Sequence, residues 1–166
     1  MKQANNADDA QNRTPVERRG DRELVVARIF DAPPSTMFRA WSQPEVFRRW
    51  WVPETAPGVL LVSCDMDVRT GGKYRLEFGA GGSETMAFYG KYLDVVSNER
   101  IVWTNDEGNE GAVTTVTFED RGEKTLLTFH EIYPSTEALE EALQGSAAAL
   151  PEQLDQLDEL LFSTSK

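Results

Sequence analysis

The sequence predicts an α+β domain in which a curved antiparallel sheet of about seven strands wraps around a long C-terminal helix, with two short helices after the first strand. Between residues 59 and 132, apolar side chains recur at every second residue, which is typical of strands with one wet face. After residue 134 they recur at helical spacing. Since an apolar sheet face needs a covering layer, the C-terminal helix is the expected cover.

The N-terminal segment is polar and holds almost no large apolar side chain. Such a segment cannot offset the entropy cost of ordering, so we expect a disordered tail over residues 1–21. A single domain is expected over residues 22–166. Its first strand is predicted at residues 23–30, a run rich in β-branched and aromatic residues that is followed by Pro33 and Pro34.

Two short helices are predicted next. Ser35 is expected to cap the first, and Pro44 occupies the first turn of the second, where proline is tolerated. Their apolar side chains are Met37, Phe38 and Trp41 in the first helix, and Val46, Phe47, Trp50 and Trp51 in the second. Because Trp50 and Trp51 are adjacent, they cannot point the same way on a helix. We expect one ring in the core and the other at a cavity mouth or a partner surface.

Six further strands are predicted at residues 59–66, 73–78, 84–96, 100–104, 112–119 and 124–132. Turn formers separate them, among them the glycine pair at residues 71–72. Within the second of these strands, Tyr74, Leu76 and Phe78 share one face, and charged residues occupy the other. This alternation predicts an antiparallel strand with one buried face.

The C-terminal region is predicted to be helical from Pro134 onward, with leucines on one stripe and acidic residues opposite. Gly145 and Pro151 interrupt this pattern. We therefore expect a kink or a break into two helices near them. Sheets that wrap a helix in this way often leave a cavity between the two layers.

Seven short motifs follow one another along the chain: FDAP at 30–33, WSQPE at 41–45, WWVP at 50–53, CDMDVRTGG at 64–72, GKY at 90–92, ERIV at 99–102 and LDQLDELL at 154–161. In order and spacing they resemble the family of homologues of the heat-shock protein 90 ATPase activator, within the START-like (SRPBCC) superfamily. The resemblance covers about residues 23–161, and it implies the helix-grip fold.

The resemblance leaves three functions open. The first is a module that binds a small apolar or aromatic molecule in the cavity, as superfamily members bind lipids, hormones or polyketides. The second is a co-factor that binds a chaperone and stimulates its ATPase, like the eukaryotic relatives. The third is an enzyme of the cyclase or dehydratase type. Fold alone does not choose among these. We expect a binding module without a cofactor rather than an enzyme.

The candidate ligand pocket consists mainly of aromatic side chains on the inner sheet face, with leucines from the covering helix. Its predicted members are Trp50, Trp51, Tyr74, Phe78, Phe88, Tyr92, Trp103, Phe129, Glu131, Leu150 and Leu154. The alternative is that the same side chains fill the core and leave no void.

The carboxylates offer little for acid–base catalysis. Asp65 and Asp67 lie two residues apart at a strand end, and with Glu131 and Tyr92 they are the candidate acid–base groups. We favour a structural role for Asp67, which precedes a glycine turn and can pair with Arg69. Alternation points Glu131 inward as a polar pocket group, but a position at the strand end in water is equally open.

Metal binding and nucleophilic catalysis are also poorly supported. One histidine, His130, and one cysteine, Cys64, cannot build a typical structural zinc site. A carboxylate-only site has no other support, so no metal is expected. His130 alternates with Phe129, so we expect it at the surface rather than as a catalytic base.

The net charge of −11 and pI of about 4.6 argue against nucleic-acid and membrane partners, because both present negative charge. A single cysteine rules out an intrachain disulfide framework. No apolar stretch reaches the length of a membrane span, and the N-terminus lacks the apolar core of a signal peptide. We expect a cytoplasmic protein, either monomer or homodimer.

Overall fold

The computed structural model describes residues 16–53, 59–79, 85–106 and 111–164. These residues form eight strands: Glu17–Arg19 (β1), Glu23–Phe30 (β2), Leu60–Met66 (β3), Lys73–Gly79 (β4), Thr85–Val96 (β5), Arg100–Thr104 (β6), Val113–Asp120 (β7) and Thr125–Ile132 (β8). The helices are Pro34–Ser42 (α1), Pro44–Phe47 (α2), Thr136–Gln144 (α3) and Leu150–Thr164 (α4), with a 3-10 turn at Ser146–Ala149. None of the described helices is long and apolar enough to cross a membrane.

All the strands belong to one antiparallel sheet in the order β1-β2-β8-β7-β6-β5-β4-β3. The early strand β2 pairs with the last strand β8 along its whole length, from Glu23 opposite Ile132 to Phe30 opposite Thr125. The two chain ends of the fold are thereby joined at one side of the sheet. The predicted α+β class, with a curved sheet and a C-terminal helix, is confirmed.

The sheet has one strand more than predicted, because β1 forms within the expected tail. Arg18 lies opposite Leu24, so β1 adds an outer edge to β2. Backbone pairing of this kind needs no apolar side chain, which is why the polar composition gave no sign of it. The tail predicted over residues 1–21 is therefore too long at its C-terminal end. Residues 1–15 lie outside the described residues.

The two short helices differ in detail from the prediction. Helix α1 begins at Pro34 with Pro33 as its N-cap residue, and no side chain caps it, so the expected cap at Ser35 is wrong. Proline fixes φ in the helical range and needs no amide partner in a first turn, so the helix starts two residues earlier than a cap at Ser35 would allow. Helix α2 ends at Phe47, and Trp50 and Trp51 lie in and just beyond the turns that follow.

The predicted break in the C-terminal region is present. Ser135 caps α3 by accepting a hydrogen bond from the Ala138 amide at 3.1 Å. The helix ends at Gln144 with Gly145 as its C-cap, a 3-10 turn follows, and α4 begins at Leu150. Pro151 is the second residue of α4, where its missing N–H leaves no helical hydrogen bond unmade. The proline therefore helps to start α4 and does not kink it.

An aromatic cluster joins the short helices to the sheet. Trp41, only 2% exposed, lies at its centre. The rings within 6.4 Å of it, centroid to centroid, are those of Phe47, Trp50, Trp51, Trp103 and Phe129. Trp50 is fully buried, and its indole nitrogen donates to the Ala40 carbonyl oxygen at 3.1 Å. Burial of this many large rings makes the cluster a main source of the stability of the fold.

Helix α4 is held to β2 by Arg28, which points inward from the strand with its side chain 15% exposed. One guanidinium nitrogen lies 2.5 Å from an Asp155 carboxylate oxygen, and another lies 2.8 Å from an oxygen of Asp158. Such charge-assisted hydrogen bonds from a planar group fix direction as well as distance. They set the position of α4 over this side of the sheet.

Two glutamines hold the other side of α4. The Gln153 amide donates to the Trp51 carbonyl oxygen at 2.6 Å. The Gln156 amide donates to the carbonyl oxygens of Trp50 at 2.9 Å and Val52 at 2.8 Å. These bonds satisfy backbone carbonyls that no strand or helix serves. Arg28 on one side and these two glutamines on the other hold α4 in a fixed position over the sheet.

Candidate ligand-binding site

A cavity of about 830 Å³ lies between the inner face of the sheet and the layer formed by α3, the 3-10 turn and the start of α4. Pockets for small molecules commonly have volumes of roughly 300–1,000 Å³. The lining is mainly apolar, with strands β3, β4, β5, β6 and β8 contributing one wall. Met86 lines the cavity and is 63% exposed, so the cavity reaches solvent near the start of β5.

Nine of the eleven residues predicted for the pocket line this cavity: Trp51, Tyr74, Phe78, Phe88, Tyr92, Trp103, Phe129, Glu131 and Leu150. The alternation along β4, β5 and β8 brings the strand residues together, because partners in register share a face. Trp50 and Leu154 are not among its lining residues, and both are fully buried in the core. Of the two adjacent tryptophans, Trp50 is the core ring and Trp51 is the cavity ring.

Several lining residues escaped the sequence reasoning. Leu76 lies between Tyr74 and Phe78 on the same face of β4, so the alternation that identified its neighbours also pointed to it. Tyr133 follows Glu131 by two residues and likewise continues the inward series. The contributions of Trp41, Phe47, Met66, Asn105 and Gln153 depend on how helices and strand ends meet, and no local pattern signals them.

Glu131 forms the polar end of the cavity. One carboxylate oxygen accepts a hydrogen bond from the Thr114 hydroxyl at 2.6 Å, and the other accepts one from the Tyr133 hydroxyl. Thr114 is fully buried and lies opposite Glu131 in the pairing of β7 with β8. Of the two positions left open by the sequence, Glu131 therefore takes the inward one. The register that places a buried threonine beside it is what satisfies its carboxylate.

Asn105 extends this polar network. Its amide nitrogen donates to the Thr114 hydroxyl oxygen at 3.0 Å and to the Ala112 carbonyl oxygen at 2.9 Å. From β4, two strands away from β6 in the sheet, the Tyr74 hydroxyl donates to the Thr104 carbonyl oxygen at 2.7 Å. Each contact fixes a polar side chain that would otherwise turn freely at the cavity wall. The polar end of the cavity is therefore preorganised.

A model of the family described as "Activator of Hsp90 ATPase homolog 1-like protein" matches residues 31–161. The chain belongs to this family. Among solved structures, a Rhodobacter sphaeroides protein is 20% identical with a TM-score of 0.78, over 90% of this chain and 98% of that chain. Protein Ms6760 from Mycobacterium smegmatis is 23% identical with a TM-score of 0.75, over 90% and 99%.

An AHSA1-like protein from Aeromonas hydrophila is 16% identical with a TM-score of 0.67, over 85% of this chain and 94% of that chain. At these identities the likenesses show the fold shared within the family. No curated protein matches the sequence.

Two titratable groups in this family member are held in their neutral forms. Burial raises the pKa of the Tyr92 hydroxyl well above its usual range, and the nearby Cys64 and Asp67 raise it further. Burial also raises the pKa of the Cys64 thiol, and this outweighs the opposing effect of Arg48. Tyr92 therefore stays protonated and is unsuited to act as a base. Cys64 remains a thiol, which is the unreactive form of cysteine.

The candidate acid–base groups are not brought together in this family member. Asp67 is exposed and accepts from the Arg69 guanidinium at 2.9 and 3.0 Å, as the favoured structural role predicted. Asp65 is exposed and lies opposite Arg75 in the pairing of β3 with β4. Glu131 alone of these three carboxylates faces the cavity.

His130 lies on the other face of β8 from Phe129, which confirms its predicted surface position. Its ring nitrogen is 2.9 Å from a Glu23 carboxylate oxygen on β2. Within the described ranges, no three His, Cys, Asp or Glu side chains are placed to hold a metal ion.

Proposed function

We propose that this chain is a binding module that holds a small apolar or aromatic molecule in the cavity between its sheet and its C-terminal helices. The single observation that carries the proposal is the 830 Å³ cavity lined by aromatic rings and open to solvent beside Met86. Unfilled apolar space of this size lowers stability because the lining atoms lose packing contacts. A ligand restores those contacts, so binding and folding reinforce each other.

Two other functions rank below this one. A cyclase or dehydratase needs an acid and a base that converge on one substrate atom. Of the acid–base candidates named from the sequence, the cavity holds Glu131 and Tyr92, and the raised pKa of Tyr92 leaves it unsuited to act as a base. A role as a chaperone co-factor has the family description in its favour, and no described feature of the cavity is needed for it. We place the protein in the cytosol, in keeping with its single thiol.

The test is a fluorescence titration with N-phenyl-1-naphthylamine, a neutral aromatic probe whose emission rises in apolar surroundings. We expect saturable binding at one site per chain. We also expect a rise of several degrees in the melting temperature when the probe is about 100-fold above its dissociation constant, since that excess adds about 2.7 kcal/mol.

A matched pair of variants locates the bound probe. Ala149 lines the cavity from the 3-10 turn, whereas its neighbour Ala148 is exposed and lies outside the lining. Ala149→Trp should place an indole ring in space that the probe would occupy and weaken probe binding at least tenfold, and Ala148→Trp should change it by less than twofold. Absence of probe binding to the unmodified chain would end the proposal.

Native mass spectrometry of the gently purified chain supplies the second readout. A small adduct released on denaturation would give the mass of the natural ligand, and the same spectrum distinguishes a monomer from a homodimer. An unliganded mass, together with a rise in the ATP turnover of an Hsp90-type chaperone on mixing, would favour the chaperone role instead.

A further inference from the structure

We propose that Glu131 makes the cavity selective for ligands whose polar end is a hydrogen-bond donor, neutral or cationic, and that it excludes organic anions. The inference rests on the proposed binding function and names the chemistry of the ligand. It predicts that alcohols, amines and amides on an apolar or aromatic body are accepted. Fatty-acid carboxylates and sulfonates of the same size are rejected.

The charge of the cavity wall is unfavourable for an anion. Among the described lining residues the ionisable acids are Glu131 and Glu141, and there is no lysine, arginine or histidine. An anion drawn into an apolar site needs an opposite charge to offset the loss of hydration. Arg28, which points inward from β2, lies outside the lining and is paired with Asp155 and Asp158. The net charge of −11 adds a further unfavourable potential for an anion.

The Glu131 carboxylate is held rigidly as a hydrogen-bond acceptor. The Thr114 and Tyr133 hydroxyls each donate to one oxygen of the Glu131 carboxylate, and the Asn105 amide holds Thr114 in turn. A carboxylate fixed in this way cannot turn aside to make room for a second negative group. It presents a constant direction to an incoming donor, which is how a few polar groups orient a ligand in an apolar pocket.

The order of the side chains across the sheet also favours a ligand with a donor or cationic end. Glu131 lies opposite Thr114, Thr114 lies opposite Trp103, and Trp103 lies opposite Tyr92. Residues bearing a carboxylate, an indole ring and a hydroxyl therefore share one row on the inner surface. Tryptophan is the ring that best attracts a cation, so the row suits an ammonium as well as a neutral donor.

The same order predicts the direction of the ligand. Met86, at the opening, lies six residues before Tyr92 on β5, which is about 20 Å along a strand. Phe88, which lies between them on the same strand and also lines the cavity, forms with Phe78 an apolar stretch of this wall. We infer that the polar end of the ligand lies at the Glu131 row and its apolar body extends toward the opening.

The experiment compares two probes that share one skeleton. N-phenyl-1-naphthylamine and 8-anilinonaphthalene-1-sulfonate both carry the same secondary amine, and only the second carries a sulfonate. We expect the neutral probe to bind at least tenfold more tightly. In competition against it, tryptamine should displace the probe at lower concentration than indole-3-acetate, which carries the same ring with an anionic end.

Charge-removing variants assign the selectivity to one residue. Glu131→Gln should narrow the ratio of the two dissociation constants at least threefold. Glu137→Gln, which removes the same charge from an exposed acid of α3 that lies outside the lining, should leave the ratio unchanged. If Glu131→Gln does not fold, the comparison of the two probes on the unmodified chain still decides whether anions are excluded.

The outcomes separate the two proposals. If neither probe binds, the proposed binding function itself fails. If the neutral probe binds and the sulfonate binds equally well or better, the cavity is a binding site but the selectivity is wrong. An unchanged ratio in a folded Glu131→Gln variant would overturn the assignment to Glu131.

Discussion

Replacement of Arg28 by methionine removes the ion pairs that hold α4 against β2, and it keeps most of the apolar stem of the side chain. A hydrogen bond to a charged group contributes roughly 1.5–3 kcal/mol when well buried. Here the Asp155 and Asp158 side chains are 43% and 45% exposed, so water screens each pair toward the roughly 0.2–1 kcal/mol of surface pairs. We expect a loss of about 2 kcal/mol in the free energy of unfolding.

A loss of that size lowers the melting temperature of a domain of this length by about 6 °C. The assay is urea unfolding followed by tryptophan fluorescence, at 0.1 M and at 1 M sodium chloride. High salt should reduce the difference between Arg28→Met and the unmodified chain, because salt screens charge pairs that reach solvent. Arg28→Lys should lose about half as much, since an ammonium cannot engage two carboxylates in a fixed fork.

The matched control is Arg69→Met, which removes an ion pair whose arginine is 70% exposed. We expect less than about 0.5 kcal/mol there. An equal loss of unfolding free energy in the Arg28 and Arg69 variants would refute the reasoning that Arg28 holds α4 against the sheet. A loss below about 0.5 kcal/mol for Arg28→Met would refute it as well.

Three further predictions concern a close backbone contact, a core ring and a buried hydroxyl. Gly90→Ala should lower the free energy of unfolding, measured in urea, by about 3 kcal/mol, because the added carbon would lie 2.0 Å from the Thr104 carbonyl oxygen. The control is Gly122→Ala, at a positive φ with open space around it, which should lower the free energy of unfolding by only about 1 kcal/mol. Trp50→Phe should cost about 2 kcal/mol yet leave probe affinity within twofold, since Trp50 is buried outside the cavity wall; a large loss of affinity would contradict that position. The free energy of unfolding of the unmodified chain should fall as the pH rises above 10, because the folded state raises the pKa of the Tyr92 hydroxyl and the hydroxyl ionises first in the unfolded state. Tyr92→Phe should reduce this dependence of the unfolding free energy on pH. An unchanged dependence would contradict the effect of burial on Tyr92.

The sequence located most strands closely, because each has alternating side chains bounded by turn formers. Residues 23–30 and 100–104 were predicted to the residue. It failed at residues 17–19, where the strand forms through backbone pairing with β2 and carries only charged side chains. It also failed at Ser35, because the prolines before it set the helix start through their fixed φ rather than through a hydrogen bond.

The candidate site was predictable where side-chain direction follows from strand alternation, as for Tyr74, Phe88 and Phe129. It was not predictable for Trp50 and Trp51, which lie at the end of a short turn where no period applies. Their roles depend on the aromatic cluster around Trp41, whose rings come from two helices, the turn after α2 and two strands.

By itself, the sequence determined which side chains face inward, because a period of two on strands and of 3.6 on helices is a local property of the backbone. It also determined the acidity of the molecule and the order of its elements. Only the tertiary structure decided whether the inward side chains fill the interior or enclose a cavity, since that depends on the distance between the sheet and the C-terminal helices that cover it. Arg28 joins α4 to the sheet, and Gln153 and Gln156 join it to the turn after α2, through contacts that span more than 100 residues of chain.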